Sequence, residues 1–349
     1  MQHSVRTSVL NAGSAADRSG QLPLLTAEIT LKSIILVFAM LLALGQASTA
    51  LAACSIKTSA PAIGPVDSFA LNSAPQGVMA GAGFYCTPEL VALNSTNTLS
   101  ATLASANKSN GVPRLLNGAG DAIPYSVCSD ASCSPAYQDG GVISWSRTTL
   151  LELLGLFNSS DGTMPLYFRT TPGANVPAGT YTDVLTITWV YRFCYVGLDL
   201  LGIKICIPNN GTLTSTVNVS VKVTNVCYID SAPDVEFASA ALPSGFSHYS
   251  GQLAIRCTKN AAYTVNLTST NASVGDWRQM SQPIANQPTA WLQYQFYQPN
   301  GSAWTESNNL SVTGSGAAQS ANYTLKINPT QSNQPAGTYS DTVLVTVSY

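Results

Sequence analysis

A segment that occurs twice constrains this chain more than any other feature. Pro177 to Tyr191 reads Pro-Ala-Gly-Thr-Tyr-Thr-Asp-Val-Leu-Thr-Ile-Thr-Trp-Val-Tyr, and Pro335 to Tyr349 reads Pro-Ala-Gly-Thr-Tyr-Ser-Asp-Thr-Val-Leu-Val-Thr-Val-Ser-Tyr. Each copy opens on a Pro/Gly turn signal and continues as alternating apolar and polar residues, the period of a half-buried strand. Tyr181, Leu185, Ile187, Trp189 and Tyr191 share one face of the first copy, and Tyr339, Val343, Val345, Val347 and Tyr349 share the corresponding face of the second. The chain is therefore a tandem repeat of one β-domain.

Further landmarks repeat with it. Cys54 and Cys86 stand 32 residues apart at the head of the first repeat, and Cys227 and Cys257 stand 30 apart at the head of the second. Tyr125 matches Tyr294, Trp145 matches Trp304, and Pro177 matches Pro335, with extra residues between tyrosine and tryptophan in the first repeat. Many short strands, frequent turn signals and no long amphipathic helix predict an all-β protein of two antiparallel β-sandwich domains. The boundaries expected are a signal segment over 1–53, a first domain over 54–225 and a second over 226–349.

The first 53 residues read as targeting rather than fold. An apolar run from Ile34 to Leu44 follows Lys32 and precedes Ala50-Leu51-Ala52, a small-residue cleavage pattern. The run is short for a membrane span. Leu51-Ala52-Ala53-Cys54 also fits a lipoprotein cleavage site, against which stands the use of Cys54 in a disulfide. All 8 cysteines lie at or after Cys54, an even number in an exported chain, so a disulfide framework follows. The repeat assigns Cys54–Cys86 and Cys227–Cys257 to the framework and leaves Cys128–Cys133 and Cys194–Cys206 as local clips. No cysteine spacing matches a zinc site.

Only 9% of residues are charged and the net charge is −2, which gives no footprint for nucleic acid. At 45% hydrophobic residues with regular alternation, disorder is also excluded. His248 has no dyad partner that spacing identifies, and there is no phosphate-binding glycine loop. No enzyme, cofactor or metal is expected.

The Pro-Ala-Gly-Thr-Tyr-x-Asp segment running into a terminal tyrosine, with the early cysteine pair and the Tyr and Trp landmarks, resembles the spore coat protein U domain family. Two such domains in an exported chain look like the tip adhesins of archaic (Csu-type) chaperone–usher pili. That resemblance implies immunoglobulin-like pilin folds, assembly by donor-strand complementation, and roles in attachment and biofilm formation. Its expected partners are a periplasmic chaperone, an outer-membrane usher, an adjacent pilus subunit and an abiotic or host surface. Its expected location is the pilus tip at the cell surface, reached through the periplasm.

The residues point the same way. After Tyr191 the first repeat continues through a hairpin, 192–211, into a segment where Val217, Val219, Val221 and Val223 alternate with polar residues. That strand can return and complete the first sandwich. The second repeat carries no such strand after Tyr349, so the second sandwich is expected to lack its final strand. Val343, Val345, Val347 and Tyr349 then form one wall of a groove open to a strand from elsewhere. With cleavage near Ala52, almost nothing precedes Cys54 to be donated onward, which places the subunit at the tip.

Departures of the first repeat from the second are the candidate contact surface. One is the clipped insertion over 129–144, with Tyr137, Val142 and Ile143. The second is Leu150, Leu151, Leu153, Leu154, Leu156 and Phe157, whose spacing fits either a short core helix or an exposed finger. The third is Val196, Leu198, Leu200, Leu201 and Ile203 inside the Cys194–Cys206 clip. Counted from tryptophan, 150–157 matches 309–316, a mostly polar stretch expected to be a loop, and that mismatch favours the finger. A competing expectation is a glycan-binding adhesin using Trp277, with Trp291 and Trp304 read as core. A secreted coat or matrix protein outside any pilus is the other alternative.

Overall fold

The computed structural model describes residues 54–86, 97–147, 155, 157–200 and 203–349, with backbone alone at 147, 195–200 and 203–207. The expected signal segment over 1–53 and Leu150, Leu151, Leu153, Leu154, Leu156 and Leu201 lie outside the described residues. Among the described residues, no helix is long and apolar enough to cross a membrane.

The first half runs β1 (Cys54–Ile56), β2 (Ala62–Asp67), the helix α1 (Ser68–Ser73), β3 (Gly77–Gly81), β4 (Phe84–Cys86), β5 (Asn97–Ser105), β6 (Arg114–Leu116) and β7 (Ala122–Cys128). It continues with β8 (Ala136–Tyr137), β9 (Val142–Arg147), β10 (Pro165–Thr170), β11 (Gly179–Leu200) and β12 (Ile203–Thr224). The second half is β13 (Cys227–Ser231), β14 (Tyr249–Cys257), β15 (Ala262–Ser269), β16 (Arg278–Gln282), β17 (Ala290–Tyr297), β18 (Leu310–Thr313), β19 (Ala318–Ile327) and β20 (Val343–Ser348).

Period-two alternation sets the layers. Along β5, Leu99, Ala101 and Leu103 are buried while Thr98 and Ala104 face out, as a strand with one solvated face requires. In the first sandwich, one sheet runs β2–β12–β11–β5–β9 and the other β6–β7–β10–β3, joined by the single pair Thr182↔Leu116. All of these pairs are antiparallel except β2 on β12. The second sandwich sets β13–β14–β19–β17–β16 against β18–β15–β20. Each sandwich has its own core: one is built around Phe84, Tyr125, Tyr181 and Trp189, the other around Tyr263, Tyr294, Trp304 and Tyr323. The fold is all-β, two immunoglobulin-like antiparallel sandwiches.

The two copies correspond strand by strand. β1 pairs with β4 at Cys54↔Cys86, and β13 pairs with β14 at Cys227↔Cys257, each pair closed by its disulfide. That bond occupies the Cys54 sulfur that lipidation would need. β5, β9 and β11 correspond to β15, β18 and β20, while among the described residues β2, α1, β8 and β12 have no counterpart element in the second sandwich. The Cys128–Cys133 clip is formed. Cys194 is also disulfide-bonded, and the side chain of Cys206 lies outside the described residues.

Several expectations are corrected. Residues 310–313 form β18, paired with β15 as β9 is paired with β5, so 309–316 is not simply a loop. Its counterpart is Val142–Arg147 rather than 150–157, and the mismatch that favoured a finger compares unlike elements. Phe157 is half-buried and packs on the first core, its ring 5.9 Å from Phe84; the apolar ring is worth more inside than on a loop. Ile143 is core, because β9 pairs with β5 and alternation turns it inward, leaving Val142 exposed. Trp291 is 36% exposed: it alternates with the buried Ala290 and Leu292, so strand geometry turns it outward.

Candidate strand-accepting groove

The repeated segment folds identically at its head in both sandwiches. Tyr181 donates its hydroxyl to the Pro177 carbonyl at 2.7 Å, and Tyr339 does the same to Pro335 at 2.6 Å. Two residues on, the aspartates receive the landmark tyrosines: Tyr125 donates to Asp183 Oδ2 at 2.7 Å and Tyr294 to Asp341 Oδ2 at 2.6 Å. Each bond ties the opposing sheets together through one buried phenol. Burial, reinforced by the aspartate, pushes both phenols well above the ordinary tyrosine value. Burial also raises Tyr181, to about 12.

Pairing inward of these segments is equally matched. β11 sets Leu185, Ile187 and Trp189 opposite Ser105, Leu103 and Ala101 of β5. β20 sets Val343, Val345 and Val347 opposite Ser269, Leu267 and Val265 of β15. The outer edges differ. β12 runs the length of β11, placing Val217, Val219, Val221 and Val223 opposite Leu185, Asp183, Tyr181 and Gly179. All four valines are buried, as are Leu185, Ile187 and Trp189. Among the described residues, β20 pairs with β15 alone. Val343, Val345 and Val347 are only half-buried, and Asp341 is half-buried where Asp183 is fully enclosed. Tyr349 stands 59% exposed beyond the end of β20.

A further apolar segment lies across from 337–339, the residues just before β20. In the first sandwich β2 lies parallel on the far side of β12. After β13 in the second sandwich, residues 235–240 make no strand pairing. Val235 and Phe237 nevertheless alternate toward the core, and Phe237 meets Phe246 edge-on at 6.2 Å. Between this segment and 337–339 lies an open cleft of about 610 Å³, lined by Val235, Phe237, Phe246, Met280, Leu292 and Tyr339. Gly337 borders it, and a Cβ there would strike the Gln282 side chain. Sequence reasoning does not single out Val235, Phe237 or Phe246; the alternation of Val235 and Phe237 shortly after Cys227 is the available signal.

The arrangement combines a strand edge that has no paired neighbour among the described residues with partly buried apolar side chains on β20 and an apolar-lined cleft beside 337–339. Beneath it, Arg278 is buried and donates to the Leu267 and Trp304 carbonyls at 2.7 and 3.0 Å, to Ser269 Oγ and to Gln295 Oε1. Burial holds its guanidinium below the usual range. No group of three His, Cys, Asp or Glu side chains placed to hold a metal occurs among the described residues.

The backbone of Val196, Leu198, Leu200 and Ile203 sits at the end of β11 and β12 away from the connection to the second sandwich. The register continues past Arg192↔Thr98, where β5 ends, to Leu198↔Ile205 and Leu200↔Ile203. The backbone carrying Val196, Leu198, Leu200 and Ile203 is thus a two-stranded ribbon beyond the body of the sheet. Of the tryptophans, Trp304 is buried with its indole N–H on the Val265 carbonyl at 3.1 Å, Trp277 is half-buried and Trp291 is exposed.

Two solved structures align with this chain. A structure of the CsuC–CsuE chaperone–tip adhesion subunit pre-assembly complex from archaic chaperone–usher Csu pili of Acinetobacter baumannii is similar, with 25% identity and a TM-score of 0.53. The alignment covers 85% of this chain and 100% of that one. CfaE, the adhesive subunit of CFA/I fimbria of enterotoxigenic Escherichia coli, aligns at 10% identity and a TM-score of 0.33, over 84% of this chain and 93% of that one. Comparison with curated protein sequences gives no match. The family model of the Spore Coat Protein U domain matches twice, over residues 39–188 and 213–346, and with both sandwiches accounted for the chain belongs to that family.

Proposed function

We propose that this chain is the tip subunit of a chaperone–usher pilus, exported through the periplasm to the cell surface, where it mediates attachment and biofilm formation. The first domain, 54–225, is the adhesin; the second, 226–349, anchors it to the fibre by accepting a donor strand. The observation that carries this reading is the outer edge of β20, which among the described residues has no paired neighbour where β12 covers β11 in the first sandwich; an open apolar cleft borders 337–339, the residues that lead into β20. Likeness to a chaperone-bound tip subunit supports it. Val343, Val345 and Val347 form one wall, with Tyr349 at its end and Val235 and Phe237 opposite. Before assembly a periplasmic chaperone covers the slot; an outer-membrane usher then exchanges it for the strand of the adjacent subunit.

Contact with the surface is assigned to the apolar ribbon of Val196, Leu198, Leu200, Leu201 and Ile203, with Leu150, Leu151, Leu153, Leu154 and Leu156 as a second candidate segment. A disulfide-clipped apolar loop loses little entropy on contact and removes apolar area from water. Replacing Leu198, Leu200 and Leu201 by serine is expected to abolish attachment to polystyrene while piliation persists; undiminished attachment refutes the assignment. For the strand-accepting domain, co-expression with a candidate chaperone should raise soluble yield and co-purify a stable complex. A second domain that is stable and monomeric alone refutes it. The exposure of Trp291 keeps a glycan-binding reading in view, and binding competed away by free sugar would select it.

A further inference from the structure

We propose that the two sandwiches are locked into a single rigid body by side chains across their junction, so that the first sandwich has one fixed orientation on the second. Only Asn225 and Val226 connect β12 to β13, and Val226 is pinned through both its backbone groups: its N–H donates to Thr258 Oγ1 at 2.9 Å, and the Thr258 N–H donates to its carbonyl at 3.0 Å. A short tether alone leaves rotation free. Here three separate elements of the first sandwich each grip the second.

The first is α1. Asp67 caps it, accepting from the Phe69 and Ala70 amides, which fixes the two residues it presents. Ser68 Oγ meets Thr258 Oγ1 at 2.8 Å with both side chains buried. Phe69 packs edge-on against Tyr228 at 5.6 Å, and the Arg256 guanidinium lies over both rings, 5.2 and 4.8 Å from their centroids. Arg256 is itself held by Asp230 at 2.8 Å, so the stack is oriented from the second sandwich. The second grip is the turn between β6 and β7, where Asp121 pairs with Lys259 at 3.1 Å. The third is the loop before β11: Asn175 Nδ2 donates to the Ser315 carbonyl at 3.1 Å. Its amide occupies the space where a Cβ on Gly316, at φ +75, would lie.

The cation over two rings, the buried hydroxyl pair and the ion pair come from different residues, so loss of one leaves the others. Swivel about any one grip is opposed by the other two. Inter-domain interfaces within a chain usually permit relative motion; this one has the polar and aromatic specificity of a fixed joint. The inference is independent of what fills the groove.

The test uses the full mature chain with Gly-Gly-Ser inserted between Thr224 and Asn225, alone and combined with Arg256→Ala and Lys259→Met. Small-angle scattering is expected to be unchanged by the insertion alone, because the grips rather than the tether hold the arrangement. Adding both substitutions is expected to raise the radius of gyration and to speed amide exchange at 257–261 and 314–317 at least tenfold, with the β5 and β15 amides unaffected. A chain loosened by the insertion alone, or one that stays compact and protected after both substitutions, would overturn the proposal. Single Lys259→Met, a change at a partly exposed side chain, checks that any loosening is not global unfolding.

Discussion

Truncating an apolar side chain on the strand that completes the first sandwich and one on the edge strand of the second should cost very different amounts. Val219 is fully buried between β11 and the opposing sheet. Val219→Ala removes two methyl groups, roughly 1.6 kcal/mol of transfer at about 0.8 each, and adds a cavity term for roughly 2–3 kcal/mol in all. Val345 faces the second core from β20, but its side chain is only half-buried on a strand whose outer edge is unpaired among the described residues. Val345→Ala leaves no enclosed void, so the loss should be about 1 kcal/mol or less. Differential scanning calorimetry of the mature chain reads both. The first substitution should lower the melting of its sandwich by roughly 4–12 °C, at about 2–4 °C per kcal/mol for a domain of this size, and the second by only a few degrees. Supplying a strand peptide with the sequence of residues 212–224 should then raise the cost of Val345→Ala toward that of Val219→Ala. Equal costs without any added strand would mean that β20 is already enclosed, and the reasoning fails.

Other outcomes follow from the same contacts. Tyr125→Phe removes one of the donors to a buried carboxylate and should destabilise the first sandwich by about 1.5–3 kcal/mol; Tyr294→Phe, against the half-exposed Asp341, should cost about 1 kcal/mol by the same denaturation assay. Because Tyr181 is raised in the folded state to about 12, its contribution is fully present below the ordinary tyrosine value near 10 and is lost as pH rises from there toward 12. Melting temperature should therefore fall over that window, and less steeply in Tyr181→Phe; a flat profile contradicts it. Gly337→Val should obstruct the mouth of the cleft and abolish co-purification with a chaperone or adjacent subunit, leaving calorimetry of the first sandwich unchanged.

What the sequence can reveal depends on whether local pattern is sufficient. The repeated Pro-Ala-Gly-Thr-Tyr-x-Asp segment announces both its strands, because alternation and turn chemistry are local. Cysteine spacing delivers the framework disulfides for the same reason. The alternating valines of β12 point to a completing strand, since four apolar residues at period two have few other uses. Burial of Phe157 escapes such reasoning because it is decided by a distant partner, Phe84; exposure of Trp291 follows from alternation with the buried Ala290 and Leu292, a local pattern that the preference of a large indole for burial obscures. The far wall of the groove is hidden altogether. Val235 and Phe237 lie in a stretch without strand pairing, and only the position of β2 in the first sandwich explains their alternation. Nor does the sequence disclose the junction, because Phe69, Tyr228 and Arg256 are unremarkable until the fold brings them together.

Amide exchange along β20 tests the central claim most directly. In the mature chain alone, the Val343–Ser348 amides that point away from β15 should exchange near the rate of an unprotected strand edge, while those bonded to β15 are protected. Addition of the completing strand, as a peptide or joined after Tyr349 by a short turn, should slow the outward set at least a hundredfold. Full protection of both sets in the chain alone would show that no strand is missing, and the account of a groove awaiting a partner would be wrong.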